Sequence, residues 1–228
     1  MKILREFRTL ISVYWKLMAS PEGIVILTGI MAVVCYDSFL IFRFWTDQLP
    51  PEYNLIFFLI SGSVWLLAFP LLVNALTVRR PIRQFGLTIG KVQFWSRWLV
   101  ILLGVGATWA FVMSRFPLYR LYYPMFSPAR TSLNQFLFYQ GCGALYMFSW
   151  EFFCRGFLLF GLEEKYGRFA ILIQLIAFTL LHRGKPEYLI SILGGLGMGI
   201  FAYEAESFLP VFFLHFGTAL LLDLFCLF

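Results

Sequence analysis

The chain has 228 residues, 61% of them hydrophobic and only 13% charged, with a mean hydropathy of +0.80 and a net charge of +6. A soluble domain carries about 25% charged residues, so this composition excludes an ordinary water-soluble globule, a disordered chain and a secreted disulfide scaffold. Long unbroken apolar runs, rather than period-two alternation, point to an all-α polytopic membrane bundle and not to an outer-membrane barrel.

The first element is amphipathic. Ile3, Leu4, Phe7, Leu10, Ile11, Tyr14, Leu17 and Met18 recur at helical spacing, while Lys2, Arg5, Arg8 and Lys16 mark a basic face. This predicts an interfacial helix over 1–20 rather than a cleaved leader. Ser20-Pro21-Glu22 is a helix start, with an N-cap, proline in the first turn and an acid near the helix N-terminus.

Spans are predicted at about 23–44, 54–77, 95–113, 138–162, 168–182, 188–203 and 208–226. That makes about seven, with six to eight as the range, in a single membrane domain covering 1–228. A basic loop separates the second span from the third, and an aromatic, arginine-bearing connection covers 114–134. With the N-terminus inside, the inner loops hold Lys2, Arg5, Arg8, Lys16, Arg79, Arg80, Arg83, Lys91, Arg97, Lys165 and Arg168. The outer side holds Arg43, Arg115, Arg120, Arg130, Arg183 and Lys185. The bias predicts a cytoplasmic N-terminus in a multi-pass membrane protein. Cys35, Cys142, Cys154 and Cys226 lie in apolar runs without ligand spacing, as small buried residues do. The basic charge forms no stripe that would grip nucleic acid; it reads as topology and contact with lipid headgroups.

Charged side chains at bilayer depth cost about 2.5–3.5 kcal/mol each even on the lenient insertion scale. Glu151 and Arg155, spaced i and i+4 on the fourth span, are therefore expected to pair. His182 ends the fifth span, just before Arg183-Gly184-Lys185-Pro186-Glu187. His215 and Asp223 lie two turns apart on the seventh. Glu187 either orients the His182 imidazole or is solvated. Gly194, Gly195, Gly197 and Gly199 on the sixth span allow close helix packing, or leave room for an extended substrate strand. Asp37, in the first span, has no evident partner.

A Glu with two His either binds a metal or activates water. No His-Glu-x-x-His spacing is present, which favours the metal-free, cofactor-free reading. Glu151 then acts as general base, His182 helps hold the water, and His215 donates to the developing oxyanion. Arg155 holds Glu151. The reaction class is hydrolysis of a peptide bond in or near the membrane. A carrier reading, motivated by Asp37, Glu151 and the histidines, would favour broken-helix repeats, which are not found.

The pattern resembles the CPBP family (CAAX proteases and bacteriocin-processing enzymes), the glutamic intramembrane endopeptidases typified by the Ras-converting enzyme. That family's motifs are Glu-Glu-x-x-x-Arg, Phe-x-x-x-His and His-x-x-x-Asn. Here they read Trp150-Glu151-x-x-x-Arg155-Gly156, Phe178-x-x-x-His182 and His215-x-x-x-Ala219. The resemblance covers roughly 135–226, and Arg83-Gln84-Phe85-Gly86-Leu87 is similar to what precedes the family's core. It implies an endopeptidase acting on a membrane-embedded or lipid-modified peptide, such as a C-terminal tail or sorting signal. The implied catalytic residues are Glu151, His182 and His215, supported by Arg155, Glu187 and Asp223. Trp150 replaces the family's first Glu and Ala219 its Asn. Either Glu151 has taken over the base role, or the chain is an inactive relative that binds membrane peptides as an immunity or scaffold protein.

Overall fold

A computed structural model describes residues 2–37 and 53–227. Every regular element among these residues is helical. Helix α1 (Lys2–Met18) presents Leu10, Ile11, Val13, Tyr14, Trp15 and Leu17 as exposed side chains, the surface an interfacial helix offers to lipid. It turns by 76° into α2 (Pro21–Asp37), whose first turn is capped by the Ser20 hydroxyl accepting from the Gly23 amide at 3.1 Å. The far end of the first predicted span, 38–44 with Arg43, lies outside the described residues, as does the Asp37 side chain.

Helix α3 (Asn54–Val78) is continuous and apolar, and ends where Arg79 adopts φ 56°. The basic loop behind it is anchored rather than loose. Arg80 pairs with Glu22 at 2.8 Å and Glu164 at 3.2 Å, donates to the Gly161 carbonyl at 2.9 Å, and has its backbone clasped by the Asn74 amide. Phe85 then plugs fully buried into the core, stacked on Phe157 at 5.5 Å. At Gly86, φ is 71° and a Cβ would strike the Phe160 ring at 2.3 Å, so only glycine fits the turn.

Helix α4 (Val92–Met113) leads to a short helix α5 (Pro117–Tyr122) and a tight turn over Ser127–Arg130. Arg130 fastens this connection by donating to the Tyr123 carbonyl at 2.7 Å and the Arg120 carbonyl at 2.9 Å.

Helix α6 covers 133–166 and joins α7 (Ala170–Leu181) in one 49-residue helical run, Leu133–Leu181. At 1.5 Å per residue, such a run would extend about 74 Å if straight, more than twice a bilayer's ~30 Å hydrocarbon core. It doubles back instead, because α7 packs on the π-helical stretch Phe152–Phe160 of α6. The reversal lies near Gly167, where φ is 53°. Sequence periodicity reads the two limbs as separate spans at 138–162 and 168–182, and the fold joins them through a helical corner.

Helices α8 (Ile190–Ala205) and α9 (Leu209–Leu227) complete the chain, with α9 packed on α4 and α6. Among the described residues four helices are long and apolar enough to cross a membrane, or five if the bent pair is taken as one span. With 16 residues, α8 is shorter. The architecture is a polytopic helical membrane bundle. Its core centres on Trp150, Phe152, Phe153, Phe157, Phe178 and Phe208, all at most 1% exposed. Cys154 and Cys226 are buried, Cys35 and Cys142 half-buried, and all four are free thiols.

Candidate active site

Glu151 sits where α6 widens from α-helical (Leu133–Glu151) to π-helical (Phe152–Phe160) winding. Such widened turns occur often at functional sites. Its carboxylate is completely buried, with Oε1 hydrogen-bonded and Oε2 in an ion contact. Oε2 lies 2.9 Å from Arg155 Nη1, and Oε1 lies 2.6 Å from His215 Nδ1. The i,i+4 pairing expected from sequence is made, and α9 adds His215 to it.

Arg155 is fully buried. Its Nη2 donates to the Gly195 carbonyl at 3.2 Å, and its guanidinium lies 4.0 Å over the Phe178 ring. Gln174 donates to the same Gly195 carbonyl at 3.2 Å. A guanidinium hydrogen-bonded through Nη2, ion-paired through Nη1 and laid over an aromatic face is held in orientation, which in turn holds Glu151.

His182 caps the end of α7. Its Nδ1 lies 2.9 Å from the Phe178 carbonyl, which only accepts, so Nδ1 carries the proton in this bond. The His182 and His215 rings are nearly parallel, at 19°, with centroids 6.1 Å apart. Both face a cavity of about 440 Å³ bounded by α4, α6, α7, α8 and α9. Glu151 does not line this cavity; it lies behind His215. The structure differs here from the expectation that the carboxylate meets water directly.

Trp150 packs edge-on to His182 at 4.9 Å and to His215 at 6.5 Å, so its indole forms a wall behind both imidazoles. Its Nε1 is buried without a hydrogen-bond partner. Lys185 lies in the loop after α7, with Nζ 4.6 Å over the Trp150 ring, and also lines the cavity. Burial pushes the Lys185 ammonium below the ordinary lysine range, with Glu187 acting in the opposite sense.

Glu187 does not bond His182. Its Oε1 accepts from the Tyr123 hydroxyl at 2.8 Å. Burial first, and then Glu187, pushes the Tyr123 phenol well up, so the hydroxyl remains the donor. Asp223 lies on the cavity wall, with Oδ2 accepting from Gln140 Nε2 at 2.7 Å. Ala219 and Gly194 also line the cavity.

The glycines of α8 divide between the two roles open in the sequence. Gly195 and Gly199 face α7, where an added Cβ would meet Phe178 and Gln174 at 2.5 Å. Gly197 faces the cavity, with nothing within 4 Å of such a Cβ. Among the described residues no group of three or more His, Cys, Asp or Glu is gathered as a set of metal ligands.

Sequence reasoning missed Tyr123, Gln140 and Lys185. Gln140 left a signal, an amide inside an apolar span. Tyr123 left none, because its partner is 64 residues away.

Residues 132–221 match the family described as Rce1-like, type II CAAX prenyl endopeptidase. This match supports the CPBP, or CAAX protease, family for that segment. No curated protein and no solved structure matches the chain. The matched segment begins at the N-cap of α6 and ends within α9, so it contains Glu151, Arg155, His182 and His215. The apolar helices agree with the membrane setting of a CAAX-type protease family.

Proposed function

We propose that this CPBP-family chain is an endopeptidase that hydrolyses a peptide bond in or beside a membrane-embedded or lipid-modified segment, such as a C-terminal tail or sorting signal. One observation carries the reading: a buried carboxylate 2.6 Å from an imidazole whose other edge meets a cavity shared with a second imidazole.

The chemistry follows from proton positions. Glu151 accepts from His215 Nδ1–H and leaves Nε2 with its lone pair. His182 donates Nδ1–H to the Phe178 carbonyl, and its Nε2 is likewise an acceptor. Water held by the two Nε2 atoms gives a proton to His215, while its oxygen bonds to the substrate carbonyl carbon. Glu151 stabilises the imidazolium that forms, as a buried acid does for a catalytic histidine. Lys185 provides positive charge for the oxyanion, at a site where Ala219 has no donor. His215 then returns the proton to the amide nitrogen, and the C–N bond breaks to give a carboxylic acid, which passes its proton to the released amine, leaving a carboxylate and an ammonium. His215 is thus the base of the site, and Glu151, which acts through it, and Arg155 are positioning residues. The loop charges favour a cytoplasmic N-terminus, and the family resemblance favours a bacterial plasma membrane as the setting.

A second reading is supported by Trp150 and Ala219, which replace two groups of the family motif: an inactive relative that binds membrane peptides. Co-expression with a panel of membrane-anchored reporter peptides separates the two. Cleavage by wild type that is lost in His215→Ala and His182→Ala, at unchanged membrane accumulation, supports the protease. Undiminished cleavage by either variant sinks it, and no cleavage of any reporter by wild type selects the binder.

A further inference from the structure

Two segments between helices contribute to the cavity wall. One is the 114–132 connection, through Tyr123 and Met125; the other is the 182–189 loop between α7 and α8, through His182, Lys185 and Glu187. Among the described residues no backbone hydrogen bond joins the two segments. The Tyr123 hydroxyl does join them, donating to Glu187 Oε1 at 2.8 Å. Glu187 Oε2 is buried without a partner, so the carboxylate is held through Oε1.

The two sides of this bond are anchored differently. Tyr123 is 8% exposed, packs on Tyr119 and Tyr122 at 6.2 and 4.9 Å, and has its carbonyl held by Arg130 at 2.7 Å. The loop is built of local turns. The Lys185 amide donates to the His182 carbonyl at 3.1 Å, and the Tyr188 amide to the Lys185 carbonyl at 3.1 Å. His182 and Lys185 therefore move as one turn. Segments held by few bonds open first, so a tie to a packed anchor governs where such a loop sits. A phenol-to-carboxylate bond shielded from water is stronger than one between neutral groups.

Lys185 depends on that tie. Its ammonium is a point charge on a flexible stem, lying 4.6 Å over the Trp150 ring. Such a charge serves a developing oxyanion only if its backbone is fixed. Pro186, whose ring locks φ, is the one residue between Lys185 and Glu187 and makes a stiff link. Holding Glu187 thereby holds Lys185.

We infer that Tyr123 and Glu187 are positioning residues: their bond ties the 182–189 loop to the 114–132 connection and sets Lys185 over Trp150 in the cavity that the two imidazoles share. The inference rests on the peptidase reading for what Lys185 does, but the tie itself is read without turnover.

The test uses the full chain in phosphatidylglycerol nanodiscs. Amide hydrogen exchange over 183–189 is measured beside kcat and KM on a cleaved reporter peptide. Tyr123→Phe removes only the hydroxyl, Glu187→Leu removes the acceptor, and Glu187→Gln keeps one. Tyr123→Phe and Glu187→Leu should each speed exchange over the loop about fivefold or more, and lower kcat about tenfold with KM within about twofold. Glu187→Gln should keep both readings within about threefold of wild type. In a Lys185→Met background Tyr123→Phe should lower kcat by about twofold at most, because the group it positions is gone. Unchanged exchange in Tyr123→Phe and Glu187→Leu overturns the tie. Faster exchange with unchanged kcat, or the full loss of kcat in the Lys185→Met background, overturns the positioning role. A loss in Glu187→Gln as large as in Glu187→Leu assigns Glu187 to charge rather than to the bond, and overturns the inference as well. If one of the two disrupting variants fails to fold, the other decides. Absence of cleavage by wild type contradicts the peptidase, and the exchange rates alone then support or overturn the tie.

Discussion

Glu151 and Arg155 are the residues whose removal separates structure from chemistry. Both are fully buried, and each holds the other at 2.9 Å. Breaking a buried ion pair from one side costs about 3–5 kcal/mol because a charge is stranded. Arg155→Met is therefore expected to lower stability by that order, read as a fall in the thermal midpoint in detergent. The double variant Glu151→Gln/Arg155→Met should recover much of the loss, and equal destabilisation of single and double variants would show that the pair is not coupled. Lys185→Met tests the oxyanion role: kcat on a cleaved reporter should fall by about 10²-fold with KM little changed, the scale of losing one transition-state donor. An unchanged kcat removes Lys185 from the mechanism. Among single residues, the sequence made Glu151, Arg155, His182 and His215 legible because charge inside apolar runs is costly and therefore conspicuous. It did not reveal that Glu151 lies behind His215, since that depends on how α9 packs on α6.

Helix α8 owes its place to its glycines. Gly195 lets α8 approach Phe178 and brings its carbonyl to Arg155 and Gln174. Gly195→Val should destabilise by about 1–3 kcal/mol through overpacking, and should lower activity by displacing Phe178 from beneath the Arg155 guanidinium. Gly197→Ala, with open space around it, should change stability little. Thermal unfolding of the two variants side by side is the check, and equal behaviour would refute the division of roles. Element positions were largely readable from sequence: α3, α4, α7, α8 and α9 begin and end within a few residues of the apolar runs. The corner between α6 and α7 was not, because Glu163, Glu164 and Lys165 interrupt the hydropathy without interrupting the helix. Nor did periodicity foresee the π-helical winding of Phe152–Phe160, which changes which residues share a face after Glu151.

The whole molecule is a helical membrane bundle with a polar seam at one cavity. Phe85 bolts the basic loop to that bundle from the side of α6. Phe85→Ala should cost about 3–5 kcal/mol, as large-to-small changes of buried aromatics do, measurable as earlier thermal aggregation. A change below ~1 kcal/mol would mean that the loop is not an integral part of the core. The bundle class followed from composition alone, and the site's membership from three short motifs. The cavity did not follow, since α4, α6, α7, α8 and α9 enclose it together and no single segment encodes it. The central claim is that Glu151 drives hydrolysis through His215 without a metal. Its most direct measurement is cleavage of the reporter-peptide panel by wild type beside Glu151→Gln, each with and without a chelator. The account predicts cleavage by wild type that the chelator does not affect, and at least a 10²-fold loss in Glu151→Gln at unchanged membrane accumulation. Chelator-sensitive cleavage, or full activity in Glu151→Gln, would contradict it.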